Sequence, residues 1–378
     1  MQSCGVPPRC AIVPPVPVPY REPLFERLTA RGQIVPRVIY QAPAQPGWDM
    51  PADWFTQPAG YDSEVLSAWQ RRRPGRTPIM WARGLGAALA RFDPDVVVSS
   101  EYGPATWRAL RWCRRRGRGL VIMSELTPWS EPMLSRLQRL VHRRLARRVD
   151  GFVVFSSQGV ERLAGMGVDR SRIEVSIQSA DLARVRPAEA AERNGQPVRV
   201  LAVGRLVPDK NLVALVEAFA QADFGPGEAE LELCGTGPLD VELSALAEQV
   251  GVALRLHGYV PPDELPALYR SADVLALVST YEPFGVTVRE AAAAGLPLIC
   301  SVRAGAAGDV AVDGENALLV DPTDRRAIAS ALGRLVREPA LRERLAAGSL
   351  AVTERHPLEA DAEAFERAVL AASRAASG

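Results

Sequence analysis

From Val198 to Ser301 the chain alternates short apolar runs with segments of helical periodicity, and that alternation restricts the fold to an α/β architecture with parallel sheets. The spacing predicts strands at Val198–Val203, Leu231–Cys234, Ala253–Leu256, Asp273–Val278 and Pro297–Ser301. Between them it predicts helices at Leu212–Ala222, Leu239–Val250, Asp263–Ser271 and Val286–Ala294. The first half carries the same grammar less cleanly, with strands expected at Asp95–Ser99, Leu120–Met123 and Gly151–Phe155. A polar stretch with Pro187, Asn194, Gly195 and Pro197 separates the two series. The expected organisation is a Rossmann-like domain over 1–185 with residues 1–9 disordered, a linker over 186–197, and a second Rossmann-like domain over 198–355. A helix over 356–378 can cross back to the first domain. In such sheets ligands bind beyond the carboxyl ends of the strands, so residues just after strands are the ones to search.

A length of 378 residues suits two domains, and 24% charged with 47% hydrophobic residues is an ordinary globular balance. No apolar stretch approaches the roughly 20 residues that span a bilayer. Prolines interrupt every apolar candidate at the N-terminus, which argues against a secretory signal. Five scattered cysteines, in no CxxC pair, point to a reduced, cytoplasmic chain without a zinc site. The net charge of +1 hides an asymmetry. Residues 1–190 hold 28 Arg against 17 Asp or Glu, and residues 191–378 hold 17 basic against 27 acidic residues. A basic first lobe is expected, able to meet an anionic acceptor or the inner face of an anionic membrane; no nucleic-acid motif is present. Only one of the 45 basic residues is lysine, Lys210.

Lys210 falls in the turn Gly204-Arg205-Leu206-Val207-Pro208-Asp209-Lys210-Asn211, between a strand and a helix. Two cations five residues apart beside a helix N-terminus suit a diphosphate. After the strand ending at Val278 comes Ser279-Thr280-Tyr281-Glu282-Pro283-Phe284-Gly285-Val286-Thr287-Val288-Arg289-Glu290. Here a loop carboxylate and a helix carboxylate can accept hydrogen bonds from sugar hydroxyls, and Gly285 allows close backbone approach. A third turn, Gly235-Thr236-Gly237-Pro238, fails as a dinucleotide fingerprint because Asp240 stands where glycine is needed.

Together these turns resemble the donor half of the retaining GT-B glycosyltransferases of family 4, the glycosyl transferases group 1. The resemblance rests on Gly204-Arg205-Leu206 with Lys210, Gly235-Thr236-Gly237-Pro238, His257-Gly258-Tyr259-Val260, and Glu282 followed eight positions on by Glu290. It implies a GT-B fold, two Rossmann-like domains facing a central cleft, and hexosyl transfer from a nucleotide-diphosphate sugar to an acceptor hydroxyl with retention. It implies Arg205 and Lys210 at the diphosphate, Glu290 at the ribose and Glu282 at the sugar ring. Gly235 and the amides of Phe284, Gly285 and Val286 would face the donor, with Thr287 at phosphate. The catalytic set it implies is Glu282, Arg205 and Lys210, with neither metal nor cofactor.

The first half matches less closely. Tyr20-Arg21-Glu22-Pro23-Leu24-Phe25 resembles a cleft-facing loop of some members, making Tyr20 and Arg21 acceptor candidates. Where many members carry a histidine after a mid-domain strand, this chain has Ser124-Glu125-Leu126, which adds Glu125 as a candidate. Asp93-Pro94-Asp95 has the spacing of a metal motif but reads as a turn before a strand. The segment Met133–Asp150 places Leu134, Leu137, Val141, Leu145 and Val149 on one expected core stripe, and its arginines over the remainder. Lacking Trp and Phe, that helix reads as a solvated face. A same-fold nucleotide-sugar epimerase and a non-catalytic nucleotide-sugar-binding protein remain as alternatives. Turnover without acceptor marks the first, and binding without cleavage the second.

Overall fold

The computed structural model describes residues 6–45, 54, 60–73, 76–180, 182–185 and 196–377. The chain divides into two compact units, Met1–Ser179 with Leu358–Gly378, and Ala180–Pro357. Residues 186–195 of the expected linker lie outside the described residues, as do residues 1–5 of the expected disordered leader. Arg9, placed in that leader by the sequence reading, instead opens the first strand, its amide donating to Asp95 Oδ2 at 2.9 Å.

In the first unit the elements run β1 (Arg9–Val13), α1 (Glu22–Arg31), β2 (Val35–Tyr40), β3 (Ser63–Val65), β4 (Ala68–Arg73), β5 (Arg76–Ala82), α2 (Leu85–Phe92), β6 (Val96–Ser100) and α3 (Pro104–Arg116). They continue with β7 (Gly119–Ser124), α4 (Arg136–Ala146), β8 (Gly151–Val154), α5 (Ser157–Gly165) and β9 (Ile173–Val175). Seven strands form one parallel sheet in the order β3-β2-β1-β6-β7-β8-β9, and β4 and β5 form a separate antiparallel hairpin. Strands β6 and β7 are buried along their whole length, which is why each carries a short apolar run, Val96–Val98 and Leu120–Met123, before its terminal serine or serines.

The second unit runs β10 (Val198–Val203), α6 (Leu212–Gln221), β11 (Ala229–Cys234), α7 (Asp240–Val250), β12 (Leu254–Gly258), α8 (Leu265–Ser271) and β13 (Val274–Leu277). Then come α9 (Val286–Ala293), β14 (Leu298–Ser301), β15 (Ala317–Val320), α10 (Arg325–Arg337) and α11 (Pro339–Arg355). Its six parallel strands are ordered β12-β11-β10-β13-β14-β15. The order reverses between β10 and β13, which pair through Val200–Val274 and Leu201–Leu275, so the loops after these two strands flank a topological switch point. Leu215, Val216, Leu243, Ile328 and Leu332 from α6, α7 and α10 bury against the sheet.

The last helix, α12 (Leu358–Ser377), belongs to the first unit. It lies so close to β7 that a Cβ at Gly119 would stand 2.7 Å from the Ala372 carbonyl oxygen. Arg31 Nε donates to both Glu366 oxygens at 3.0 Å, and Arg367 Nε donates to Glu174 at 3.0 Å. No helix among the described residues is long and apolar enough to cross a membrane.

Candidate functional site

The loops after β10 and β13 bring Lys210 and Glu282 into an ion pair, although they are 72 residues apart in sequence. Ser279 Oγ lies 3.5 Å from the same carboxylate oxygen. The two loops are stitched together beneath this pair. Thr280 N donates to the Asp209 carbonyl at 2.9 Å, and Asn211 Nδ2 donates to Val278 O at 3.1 Å and Pro322 O at 2.8 Å. Asn211 holds a left-handed φ of +60° at the end of the Pro208–Lys210 turn, a conformation that asparagine tolerates better than most residues. A small cavity here is lined by Gly204, Arg205, Lys210, Leu277 and Ser279 among others. The structure therefore brings Arg205, Lys210 and Ser279 to one wall, with Glu282 on Lys210.

Close backbone approach explains the glycines. A Cβ at Gly235 would fall 2.0 Å from the Gly204 carbonyl oxygen, and one at Gly237 would fall 2.3 Å from that of Leu206. The turn after β11 thus packs directly on the cation-bearing turn, bonded through Leu206 N to Thr236 O at 2.9 Å. Gly285, at φ +94°, caps the start of α9. The loop before it is strapped to the next one by Gly305 N to Glu282 O at 3.0 Å and Ala306 N to Phe284 O at 2.9 Å. The Phe284 side chain is buried, so its backbone alone can serve a ligand. Val286 and Thr287 lie in the first turn of α9, where helical geometry leaves amides for an anion.

Glu290, one turn into α9, accepts a hydrogen bond from Tyr269 Oη at 2.6 Å. Tyr269 is wholly buried in α8, and burial beside this carboxylate pushes its hydroxyl well above the ordinary range. The phenol remains protonated and holds Glu290 in place. Sequence reasoning missed Tyr269, because it sits mid-helix and no turn signal marks it.

The first unit has its own polar cluster at the carboxyl end of its sheet, where the order reverses between β1 and β6. Arg21, in the turn Pro19–Arg21, is buried, ion-paired with Glu125 and lies 5.7 Å over the Phe155 ring. Tyr20 adjoins it, its carbonyl accepting from Ser179 Oγ at 2.7 Å. Behind them stands Glu101, which the sequence reading also missed. Its carboxylate accepts from Glu125 N at 2.7 Å and Ser124 Oγ at 2.9 Å. It occupies a left-handed φ of +55°, uncommon for glutamate, and burial raises its carboxyl to about 7 despite those two hydrogen bonds. The available signal was position alone, since Glu101 directly follows β6. The Arg21 Nε is buried without a hydrogen-bond partner.

Asp93 and Asp95 both engage Arg118, at 3.2 Å for Asp93, between α2 and β6. Among the described residues no group of three or more His, Cys, Asp or Glu is placed to hold a metal ion. Cys10, Cys113, Cys234 and Cys300 are free and buried.

Comparison with known proteins follows this division. Residues 187–349 match the family model "Glycosyl transferases group 1", and residues 11–176 match "Glycosyl transferase 4-like domain". Glycogen synthase of Mycobacterium tuberculosis is 31% identical over 221 residues, 58% of this chain and 53% of that one. D-inositol 3-phosphate glycosyltransferase of Xylanimonas cellulosilytica is 36% identical over 225 residues, 54% of this chain and 53% of that one. The chain spans about half the length of these curated relatives. Among solved structures, Anabaena Alr3699/HepE in complex with UDP superposes with a TM-score of 0.76 at 18% identity, covering 95% of this chain and 98% of that one. Sucrose-phosphate synthase (tll1590) of Thermosynechococcus elongatus gives 0.74 at 19% identity over 95% and 98%. The likeness extends over both units and is one of fold, GT-B.

Proposed function

Starting from the glycosyl transferases group 1 family, to which this chain belongs, we propose that it moves a hexosyl unit from a nucleotide-diphosphate sugar to an acceptor hydroxyl with retention at the anomeric carbon. One observation carries the proposal. The sole lysine of the chain meets Glu282 at the switch point of the second unit's sheet, on a turn against which Gly235 and Gly237 let the neighbouring turn pack directly. Arg205 and Lys210 hold the diphosphate, Glu282 accepts from ring hydroxyls of the sugar, and Glu290, oriented by Tyr269, accepts from ribose hydroxyls. Gly235 and the backbone of Phe284 and Gly285, with Val286 and Thr287, line the donor.

In the reaction the bond from the anomeric carbon to the β-phosphate oxygen breaks, and the acceptor oxygen bonds to that carbon from the same face. The acceptor proton passes to the departing phosphate, so no protein nucleophile and no metal are needed. Arg205 and Lys210 stabilise the charge that develops on the leaving group. Tyr20, Arg21 and Glu125 serve the acceptor.

The structures of HepE with UDP, and with UDP-glucose, make UDP the first nucleotide to try. Thermal shift with UDP, GDP and dTDP tests the donor site, with Lys210→Ala as the control. A nucleotide that raises Tm in the wild type and not in the variant supports the reading. Product analysis with the matching nucleotide sugar then separates transfer or hydrolysis from epimerisation, and from binding without turnover. Absence of any released nucleoside diphosphate in the presence of donor and a broad acceptor panel would refute it.

A further inference from the structure

Helix α4, rich in arginine, carries apolar side chains on its solvent side. In α4 and the turn before it, Leu137 is 70% exposed, Leu140 57%, Met133 44% and Trp129 41%. At 100° per residue, Leu137, Leu140, Arg144, Arg147, Arg136 and Arg143 fall within about 120° of helical arc. The helix contains no acidic residue. No carboxylate among the described residues pairs with Arg136, Arg143, Arg144 or Arg147. This corrects two expectations. Leu137 does not join the core stripe, and the large apolar groups that the helix itself lacks are supplied by Trp129 and Met133 in the preceding turn Pro128–Met133.

The outward face is held outward. Leu145 and Ala146 are buried, and the His142 ring stacks on Tyr102 at 4.1 Å with its Nδ1 3.0 Å from Arg162. Arg162, itself buried, is ion-paired at 2.8 Å with Glu131, inside the turn that bears Trp129 and Met133. A reciprocal capping box between Ser135 and Gln138 sets the start of the helix. Rotating Leu137 and Leu140 inward would break the His142 and Arg162 contacts, so their exposure is built into the fold.

We propose that this face of the first unit docks on an anionic lipid surface, with Trp129, Met133, Leu137 and Leu140 at the headgroup boundary and the arginines on lipid phosphates. A nucleic acid or an acidic protein would engage the arginines and leave four apolar side chains in water. A lipid interface satisfies both, because tryptophan and leucine seat among acyl-chain ends while arginine meets phosphate. The 28 arginines against 17 acids of residues 1–190 add long-range attraction of the same sign. The inference stands apart from the donor site and does not depend on the proposed reaction.

Co-sedimentation of the full chain with vesicles of phosphatidylcholine, alone or with one quarter phosphatidylglycerol, tests it. Binding is expected to be at least tenfold tighter on the mixed vesicles and to weaken as salt rises from 0.1 to 0.5 M. Leu137→Ser with Leu140→Ser, which leaves charge unchanged, is expected to lower binding at least tenfold with an unaltered Tm. Arg143→Gln with Arg144→Gln and Arg147→Gln is expected to erase the preference for phosphatidylglycerol. Equal binding to both vesicle types, no binding to either, or unchanged binding by both variants would each overturn the proposal. So would a self-association of the wild type, seen by sedimentation velocity, that the leucine variant abolishes while vesicle binding persists.

Discussion

Replacing Lys210 by alanine removes two contributions of different size, and the structure lets them be separated. The folding contribution is the pair with Glu282. A unit-charge pair at 4 Å is worth about 4 kcal/mol at an effective dielectric of 20. Here the side chains are 22% and 12% exposed, so water screens the pair and desolvation removes much of the remainder. About 1–2 kcal/mol of coupling is expected, read from urea unfolding of Lys210→Ala, Glu282→Gln and the double variant. In the proposed reaction the catalytic contribution is larger. A fixed cation aimed at charge that develops in the transition state is worth about 10²–10³ in kcat, roughly 3–4 kcal/mol. Steady-state release of nucleoside diphosphate should therefore fall by that factor in Lys210→Ala, while the folded fraction at assay temperature stays near unity. Turnover within threefold of the wild type would remove the phosphate assignment. A coupling energy indistinguishable from zero would remove the pair as a structural element, whatever the kinetics show.

Three further outcomes follow from the geometry. Burial holds the Glu101 carboxyl at about 7, so its stabilising contribution is complete below the ordinary carboxylate range and lost as pH rises through 7. The buried His142, beside the Arg162 guanidinium, is lowered to about 4, so its contribution is present above the usual histidine range and lost as pH falls toward 4. The two trends oppose between pH 5 and 7; Glu101→Gln should uncover a Tm that climbs with pH there, and an unchanged Tm profile would refute the Glu101 assignment. Gly235→Ala forces a Cβ to 2.0 Å from the Gly204 oxygen at φ +138° and should cost about 3 kcal/mol or more in urea unfolding. Gly251→Ala, at φ +71° with nothing within 4 Å, should cost about 1 kcal/mol. Tyr269→Phe deletes the hydrogen bond to Glu290 and should weaken nucleotide binding about tenfold by calorimetry, roughly one charge-assisted hydrogen bond, with kcat changed less than KM.

Legibility in the sequence followed the range of the interaction being read. Apolar strands in the middle of a sheet announce themselves locally, so β10 was expected with the bounds it has, and the boundaries of α6, α7, α9 and β14 were read to within a residue or two. The hairpin of β4 and β5 was not, because its arginines and exposed tryptophans Trp69 and Trp81 give no apolar run. The same reasoning divides the site. Lys210, Glu282 and Gly235 lie on turns whose composition is itself the signal. Glu101 and Tyr269 matter through partners 24 and 21 residues away, Glu125 N and Glu290, brought near only when separate elements pack. Leu137 failed for a related reason. A stripe drawn in steps of four from Leu145 back through Val141 to Leu137 turns about 40° around the helix at each step, leaving Leu137 about 80° from Leu145. The buried Arg162, from α5, selects the face bearing His142 instead. Periodicity gives a helix its faces, and tertiary polar contacts decide which of them turns inward. The exposed side of α4 is therefore a consequence of the interior it was fitted to, and a variant that loosens Arg162 should disturb that surface before it touches the donor site.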